Sequence, residues 1–255
     1  MDKDLIKKRF SRAASTYSQK ASIQQMVAGR MAWLIHRYVP RNYSHRTLEV
    51  GCGTGLFTRR LLKAVAPEQL VLNDICPDMA RCFTDLPVNR VRFLSGDAER
   101  IVLPQGQGLI ASCSALQWFN DPDAFFLRCY HALDDSGYLA FSTFGRENMQ
   151  EITSLTGVGL PYRSLEELRS SLSATYDVLY THEERFTLTF SSPLEVLRHL
   201  RETGVTGIRS QHWTRTDLTD FCNRYEACFS KLSTDGKAVT LTYHPIYIVA
   251  KKKSI

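Results

Sequence analysis

Five short apolar runs, at residues 47–50, 70–74, 91–94, 109–113 and 138–143, alternate with helical patterns at 56–65, 77–83 and 122–133. Strands alternating with helices at this rhythm suit a parallel sheet with helices on both faces. A chain with this rhythm folds as an α/β protein with a doubly wound, mostly parallel sheet. The remainder has a different texture. Ile23, Val27, Met31, Leu34 and Tyr38 recur at helical spacing, predicting a helix over 18–39 that stops before Pro40. After residue 145 the pattern predicts helices at 164–173, 193–202 and 214–230, a β-like stretch at 176–190 and a long last strand at 239–249. Pro245 lacks a ladder donor, which places a bulge or an edge position there.

The whole, residues 1–255, reads as one domain. Residues 1–40 form a helical lid, 45–145 the core that holds a ligand, 146–174 and 191–236 helical cap insertions, and 175–190 and 238–250 the final strands. A hydrophobic content of 44% is ample for a core in 255 residues, and the apolar runs fall short of the roughly 18 residues a membrane span requires. The amino terminus, MDKDLIKKRF, is charged rather than apolar, and seven cysteines form neither a CxxC pair nor a zinc-finger spacing. These features predict a reduced, cytoplasmic protein without a membrane partner or a structural metal. The formal charge of +6 suits an acidic partner and does not choose among them. Arg59, Arg60 and Lys63 cluster on one helical turn, and Lys7, Lys8, Arg9 and Arg12 crowd the amino terminus.

The first strand ends in Glu49-Val50-Gly51-Cys52-Gly53-Thr54-Gly55. Glycines at a strand-to-helix turn let backbone N–H groups approach a ligand that a Cβ would obstruct. The phosphate-binding pattern GxxxxGK[ST] fails because Leu56 and Phe57 follow, and the dinucleotide pattern GxGxxG fails at Leu56. An acid two residues before the first glycine suits a cationic amino-acid end better than a pyrophosphate. Asp74 closes the second strand, where a carboxylate can accept both hydroxyls of a ribose. Asp97 follows the third, where it can bind the exocyclic amine of adenine, and Cys113-Ser114 follow the fourth at the carboxyl edge. Each acid alone is an ordinary loop carboxylate; three in register after consecutive strands describe S-adenosylmethionine. Ile75, Met79 and Ala98 complete the candidate cofactor set with Glu49, Gly51 and Gly53.

Residues 45–145 thus resemble the class I methyltransferases, which implies a Rossmann-like sheet of seven strands with an antiparallel last strand. The outer segments narrow the resemblance. Phe10-Ser11-Arg12-Ala13-Ala14-Ser15-Thr16-Tyr17 with Ala21 and Gln24, the segment Ser114-Ala115-Leu116-Gln117-Trp118, the run from Leu197 to Val205 and Leu241-Thr242-Tyr243-His244 are similar to the malonyl-acyl carrier protein O-methyltransferase family of biotin synthesis. That family methylates the free carboxylate of a malonyl thioester. Two positions depart from its pattern: Ser18 stands where an acid is usual, and Cys113 where asparagine is common.

A carboxylate is ionised at neutral pH, so the implied transfer requires no general base, and rate comes from holding oxygen, methyl and sulfur in line. An arginine forked onto the reacting carboxylate would lose its attraction as charge disappears in the transition state. Neutral donors are therefore expected, with Tyr17, Gln117, Tyr243 and His244 as candidates, Trp118 as a substrate wall and Arg198 steering the acid in. The expected partners are an acidic malonyl-acyl carrier protein or malonyl-CoA, with the basic clusters as a docking surface, no nucleic acid, and a monomeric state. Three rivals stay open: a methyltransferase for another small carboxylate or hydroxyl, an RNA methyltransferase supported by basic charge alone, and a cofactor-binding regulator without turnover.

Overall fold

The computed structural model describes residues 1–20, 22–203, 213–233 and 236–254, and of residues 12–20, 233, 236 and 237 it describes the backbone. The first half contains α1 (Lys3–Lys20), α2 (Ser22–Tyr38), β1 (Arg46–Val50), α3 (Thr58–Val65), β2 (Gln69–Asp74), β3 (Val91–Ser95), β4 (Gln107–Cys113), α4 (Pro122–Ala132) and β5 (Leu133–Phe144). The second half contains α5 (Gln150–Thr156), α6 (Leu165–Leu172), β6 (Tyr176–Glu183), β7 (Phe186–Phe190), α7 (Pro193–Glu202), α8 (Arg215–Phe229), β8 (Ser230–Ser233), β9 (Gly236–Tyr243) and β10 (Pro245–Lys252).

Seven strands form one sheet in the order β3-β2-β1-β4-β5-β10-β6. The pairs from β3 through β5 are parallel, and β10 runs antiparallel to both β5 and β6. Side chains of the central strands alternate between two cores. Tyr138, Ala140, Tyr247 and Val249 face one together with α2, α3, α7 and α8. Leu139, Phe141, Ile246 and Ile248 face the other together with α4 and α6. The period-2 geometry of a strand thus turns continuous apolar runs into cover for both faces.

Local signals set the helix starts. Asp121 caps α4 by accepting from the Ala124 N–H, with Pro122 at the first helical position. Ser164 with Glu167, and Thr214 with Asp217, form reciprocal capping boxes on α6 and α8. On α2, Ile23, Val27, Met31, Leu34 and Ile35 are buried at helical spacing.

The structure differs from the sequence expectation at four places. The helix expected over 18–39 begins at Ser22, while Lys3–Lys20 forms a helix of its own; Ala21 lies outside the described residues. The helix expected at 77–83 is a 3₁₀ helix over Pro77–Phe83. The stretch 176–190 divides, with β6 in the main sheet and β7 in a second sheet ordered β7-β9-β8. The expected last strand likewise divides at His244, where the chain passes from β9 in the small sheet to β10 in the main one. Pro245 is therefore the first residue of a central strand, where its missing donor costs no inner rung, rather than an edge or bulge residue. Periodicity shows that residues are extended; it does not show which neighbours they extend beside.

Candidate active site

The strand order reverses between β2 and β4 on either side of β1, and in open α/β sheets ligands bind at that switch point beyond the carboxyl ends. The loops after β1, β2 and β3 meet there and are laced together. Gly51 and Cys52 donate to the Asn73 carbonyl at 2.9 Å each, and Asn73 Nδ2 donates to the carbonyls of Leu94 and Gly96. Asp74 accepts from the Gly53 N–H on one oxygen and from the Cys76 N–H on the other, both at 2.8 Å. Burial raises the Asp74 carboxyl pKa, opposed by these bonds. Gly51 (φ +74°) has no room for a side chain, since a Cβ would lie 2.4 Å from that of Ala115. Gly53 (φ +51°) faces open space, so its backbone lies open to a ligand.

These loops wall a cavity of about 140 Å³. Of the ten candidate cofactor residues, Gly51, Gly53, Asp74, Ile75, Met79, Asp97, Ala98, Cys113 and Ser114 line it. The tenth, Glu49, does not: it is buried beneath the loop, where Oε1 accepts from Thr58 at 3.0 Å and Oε2 has no partner among the described residues. Burial pushes the Glu49 carboxyl up to about 8, with the Thr58 bond opposing and Asp74 adding repulsion. Burial likewise raises the Cys113 thiol to about 11, against hydrogen bonds to Ser142 and Ser114, so it stays protonated at neutral pH.

Helices α1 and α2 close the cavity from above through Lys3, Ile6, Phe10, Gln24 and Ala28. Lys3 Nζ lies 2.6 Å from Glu99 and 3.7 Å from Asp97, and donates to the Trp118 carbonyl at 2.9 Å. Phe10 meets Trp118 edge to face, with centroids 5.5 Å apart. Burial acts to raise the Glu99 carboxyl, but Lys3 and the N–H groups of Asp121 and Asn120 hold it below the usual range.

A second, smaller cavity of about 20 Å³ adjoins the first, and Phe10, Gln24, Ser114 and Trp118 line both. Of the substrate-side candidates, Gln117, Trp118 and Tyr243 line it. Every described residue on its wall is uncharged. The Tyr243 hydroxyl and His199 Nε2 are 2.8 Å apart, and burial lowers the His199 pKa with Glu202 opposing, which keeps the ring neutral at neutral pH. Two other candidates are not brought to this cavity. His244 is buried behind it, with Nε2 3.2 Å from Glu183 and Nδ1 accepting from the Glu147 N–H. Arg198 is 56% exposed on α7 and pairs with Glu195 at 3.0 Å, one helical turn away. The side chain of Tyr17 lies outside the described residues, as do Gly204 and Val205.

Residues 48–141 match the family described as "Methyltransferase domain". Over its full length the chain is 49% identical to the complete malonyl-[acyl-carrier protein] O-methyltransferase of Bacteroides thetaiotaomicron, with 100% of each chain covered. The chain belongs to the malonyl-[acyl-carrier protein] O-methyltransferase family. A relative of the same name from Bacteroides fragilis is 52% identical over 98% of this chain, which spans half the length of that relative. In fold, the structure is similar to an S-adenosylmethionine dependent methyltransferase from Mesorhizobium loti, with a TM-score of 0.54, 16% identity, and coverage of 87% of this chain and 97% of that one.

In this member of the malonyl-[acyl-carrier protein] O-methyltransferase family, three residues on the wall of the small cavity, Gln24, Asn148 and Tyr162, and His199 behind Tyr243 were not expected there from the sequence. His199 stands beside Arg198 in the sequence, and its apolar helix face was the available signal. Gln24 is 4% exposed with Oε1 unpartnered among the described residues, a polar residue inside an otherwise apolar helix stripe. Asn148 and Tyr162, joined at 2.8 Å, come from a segment without regular periodicity and carried no signal.

Proposed function

We propose that this chain is an S-adenosylmethionine-dependent O-methyltransferase that methylates the free carboxylate of a malonyl thioester, at the start of pimeloyl-chain synthesis for biotin. The observation that carries this reading is the pair of adjoining cavities. One is walled by the glycine loop, Asp74 and Asp97 at the switch point; the other is small and lined by uncharged side chains.

The residues present fit the cofactor. The open backbone at Gly53 is a cradle that a Cβ would fill, Asp74 and Asp97 stand after successive strands on the cavity wall, and the Glu49 carboxyl lies beneath the loop with Oε2 unpartnered among the described residues. Gly51, Gly53, Asp74, Ile75, Met79, Asp97, Ala98, Cys113 and Ser114 would hold it, with Glu49 below. Bound there, S-adenosylmethionine supplies an electrophilic methyl group.

The chain's own contribution is placement. Gln117 and Tyr243 offer neutral polar groups where the acceptor carboxylate would sit, and Trp118 walls both cavities. Neutral groups retain their hold as the substrate loses its charge, whereas a cation would favour the ground state. The carboxylate arrives ionised, so a base is superfluous. Phe10 on Trp118, with Lys3 tied to Glu99, excludes water across the top, and residues 1–40 act as the lid. The substrate carrier is a malonyl-acyl carrier protein or coenzyme A. On the expected docking surface, Arg59 is held by Asp85 and by the Cys82 carbonyl, and Arg60 by the Leu56 carbonyl, leaving Lys63 as the exposed charge of that turn.

The test is incubation with methyl-labelled S-adenosylmethionine and malonyl-acyl carrier protein. The reading requires label in a base-labile ester on the malonyl group. Label absent, or held in a base-stable linkage, overturns it.

A further inference from the structure

A third cavity, of about 300 Å³, lies beyond the small one, and the function proposed above does not use it. Gln117, Phe144 and Tyr162 line both of these cavities, just as Phe10, Gln24, Ser114 and Trp118 line both the small cavity and the one assigned to the cofactor. Phe119 lines both the outer cavity and the cofactor cavity, so the outer cavity borders both of the others, and it meets the small acceptor cavity at Gln117, Phe144 and Tyr162. We propose that the outer cavity receives the extended, amide-bearing arm on which the malonyl thioester is carried. The proposal rests on the function given above and specifies its substrate side.

The argument is one of occupancy and chemistry. An in-line transfer brings the acceptor oxygen to the methyl from the side away from sulfur, so the rest of the acceptor must extend away from the cofactor. The small cavity has room for little more than one water-sized group, which suits a terminal carboxylate and leaves none for a thioester arm. The outer cavity supplies that room. Its wall mixes apolar surface from Phe126 and Leu168 with polar groups from Asn120, Tyr162 and Arg163, as an alkyl chain interrupted by amides requires. Gln117 donates through Nε2 to the Ser114 carbonyl at 2.7 Å, and its Oε1, on the shared wall, is buried without a partner among the described residues. An arm N–H satisfies that oxygen. Arg163 and Asp123, paired at 2.6 and 3.0 Å, join the start of α4 to the 158–164 segment and brace the cavity's rim.

The test fills the outer cavity from two independent walls, with Asp123→Trp and Pro161→Trp. It compares a malonyl thioester of methanethiol, which has no arm, with malonyl-CoA and malonyl-acyl carrier protein. S-adenosylhomocysteine affinity is measured in parallel to show that each variant keeps its fold. The proposal expects KM for both long-armed substrates to rise about tenfold or more, while kcat/KM for the short thioester moves by less than about twofold. Equal losses on short and long substrates, or no loss on the long ones, overturn it. A loss confined to the carrier protein also overturns it, since that marks a contact with the carrier's surface rather than with the arm. If the unaltered enzyme methylates none of the three, the functional reading fails instead, before the variants are considered.

Discussion

The carboxylate of Asp74 accepts the backbone N–H of Gly53 at 2.8 Å, so the acid that closes β2 and the glycine turn after β1 form one continuous edge. Its other oxygen holds the Cys76 N–H, and both bonds orient the side chain that the cofactor ribose would meet. Asp74→Ala removes the loop anchor and the proposed cofactor contact together. Affinity for S-adenosylhomocysteine should fall about a hundredfold by titration calorimetry, and Asp74→Asn, which keeps one acceptor, should lose about tenfold.

Glu49 yields a pH prediction. Its folded-state pKa of about 8 lies above the unfolded value, so the folded state binds the proton more tightly. Stability of the ligand-free protein therefore falls as pH rises from about 4.5 toward 8. Glu49→Gln lacks this penalty and should melt higher than the unaltered chain at pH 8, with the gap closing toward pH 5. Cofactor binding near pH 7 should release a proton, read from calorimetry in buffers of different ionisation enthalpy, and Glu49→Gln should abolish that release along with most of the affinity.

Tyr243 lines the small cavity proposed for the acceptor and meets His199 at 2.8 Å. Tyr243→Phe keeps the ring, which packs beside Phe144, and removes the hydroxyl. KM for the malonyl thioester should rise about tenfold while S-adenosylhomocysteine affinity stays within about twofold. A matching loss of both would give Tyr243 a purely structural part.

Arg198 was expected from the sequence to steer the acid. In the structure it is exposed and paired with Glu195 on its own helix. Exposed pairs of this kind contribute about half a kcal/mol or less, so Arg198→Ala should leave both KM values and the melting temperature nearly unchanged.

The fold from β1 to β5 was legible because short strand-like runs alternate with helical patterns between turn signals, a rhythm that suits a parallel sheet covered by helices; the edge strand β3, with no fully buried residue, is the weakest of these runs. The glycine loop and the acids Asp74 and Asp97 were legible for a related reason. Parallel topology fixes where a loop after a strand ends up, so spacing alone places these groups on one edge. The substrate side had no such guide. Gln117 follows β4, but Tyr243 comes to the same cavity through the pairing of β9 with β7 and the step into β10 beside β5, which leave no periodic trace. Pro245 shows the limit: its missing donor was visible, but not that the chain changes sheets there. Arg198 and His199 are neighbours on α7, and only the helix's rotation against β7 and α1 decides that His199 faces inward.

The most direct measurement is a crystal structure with S-adenosylhomocysteine and a malonyl thioester bound together. The nucleoside should lie between Asp74 and Asp97, with the homocysteine end over Gly51 and Gly53. The malonyl carboxylate should lie in the adjoining cavity against Gln117 and Tyr243. A nucleoside bound elsewhere, or a carboxylate held by Arg198 or His244 outside that cavity, would contradict the arrangement on which every prediction above depends.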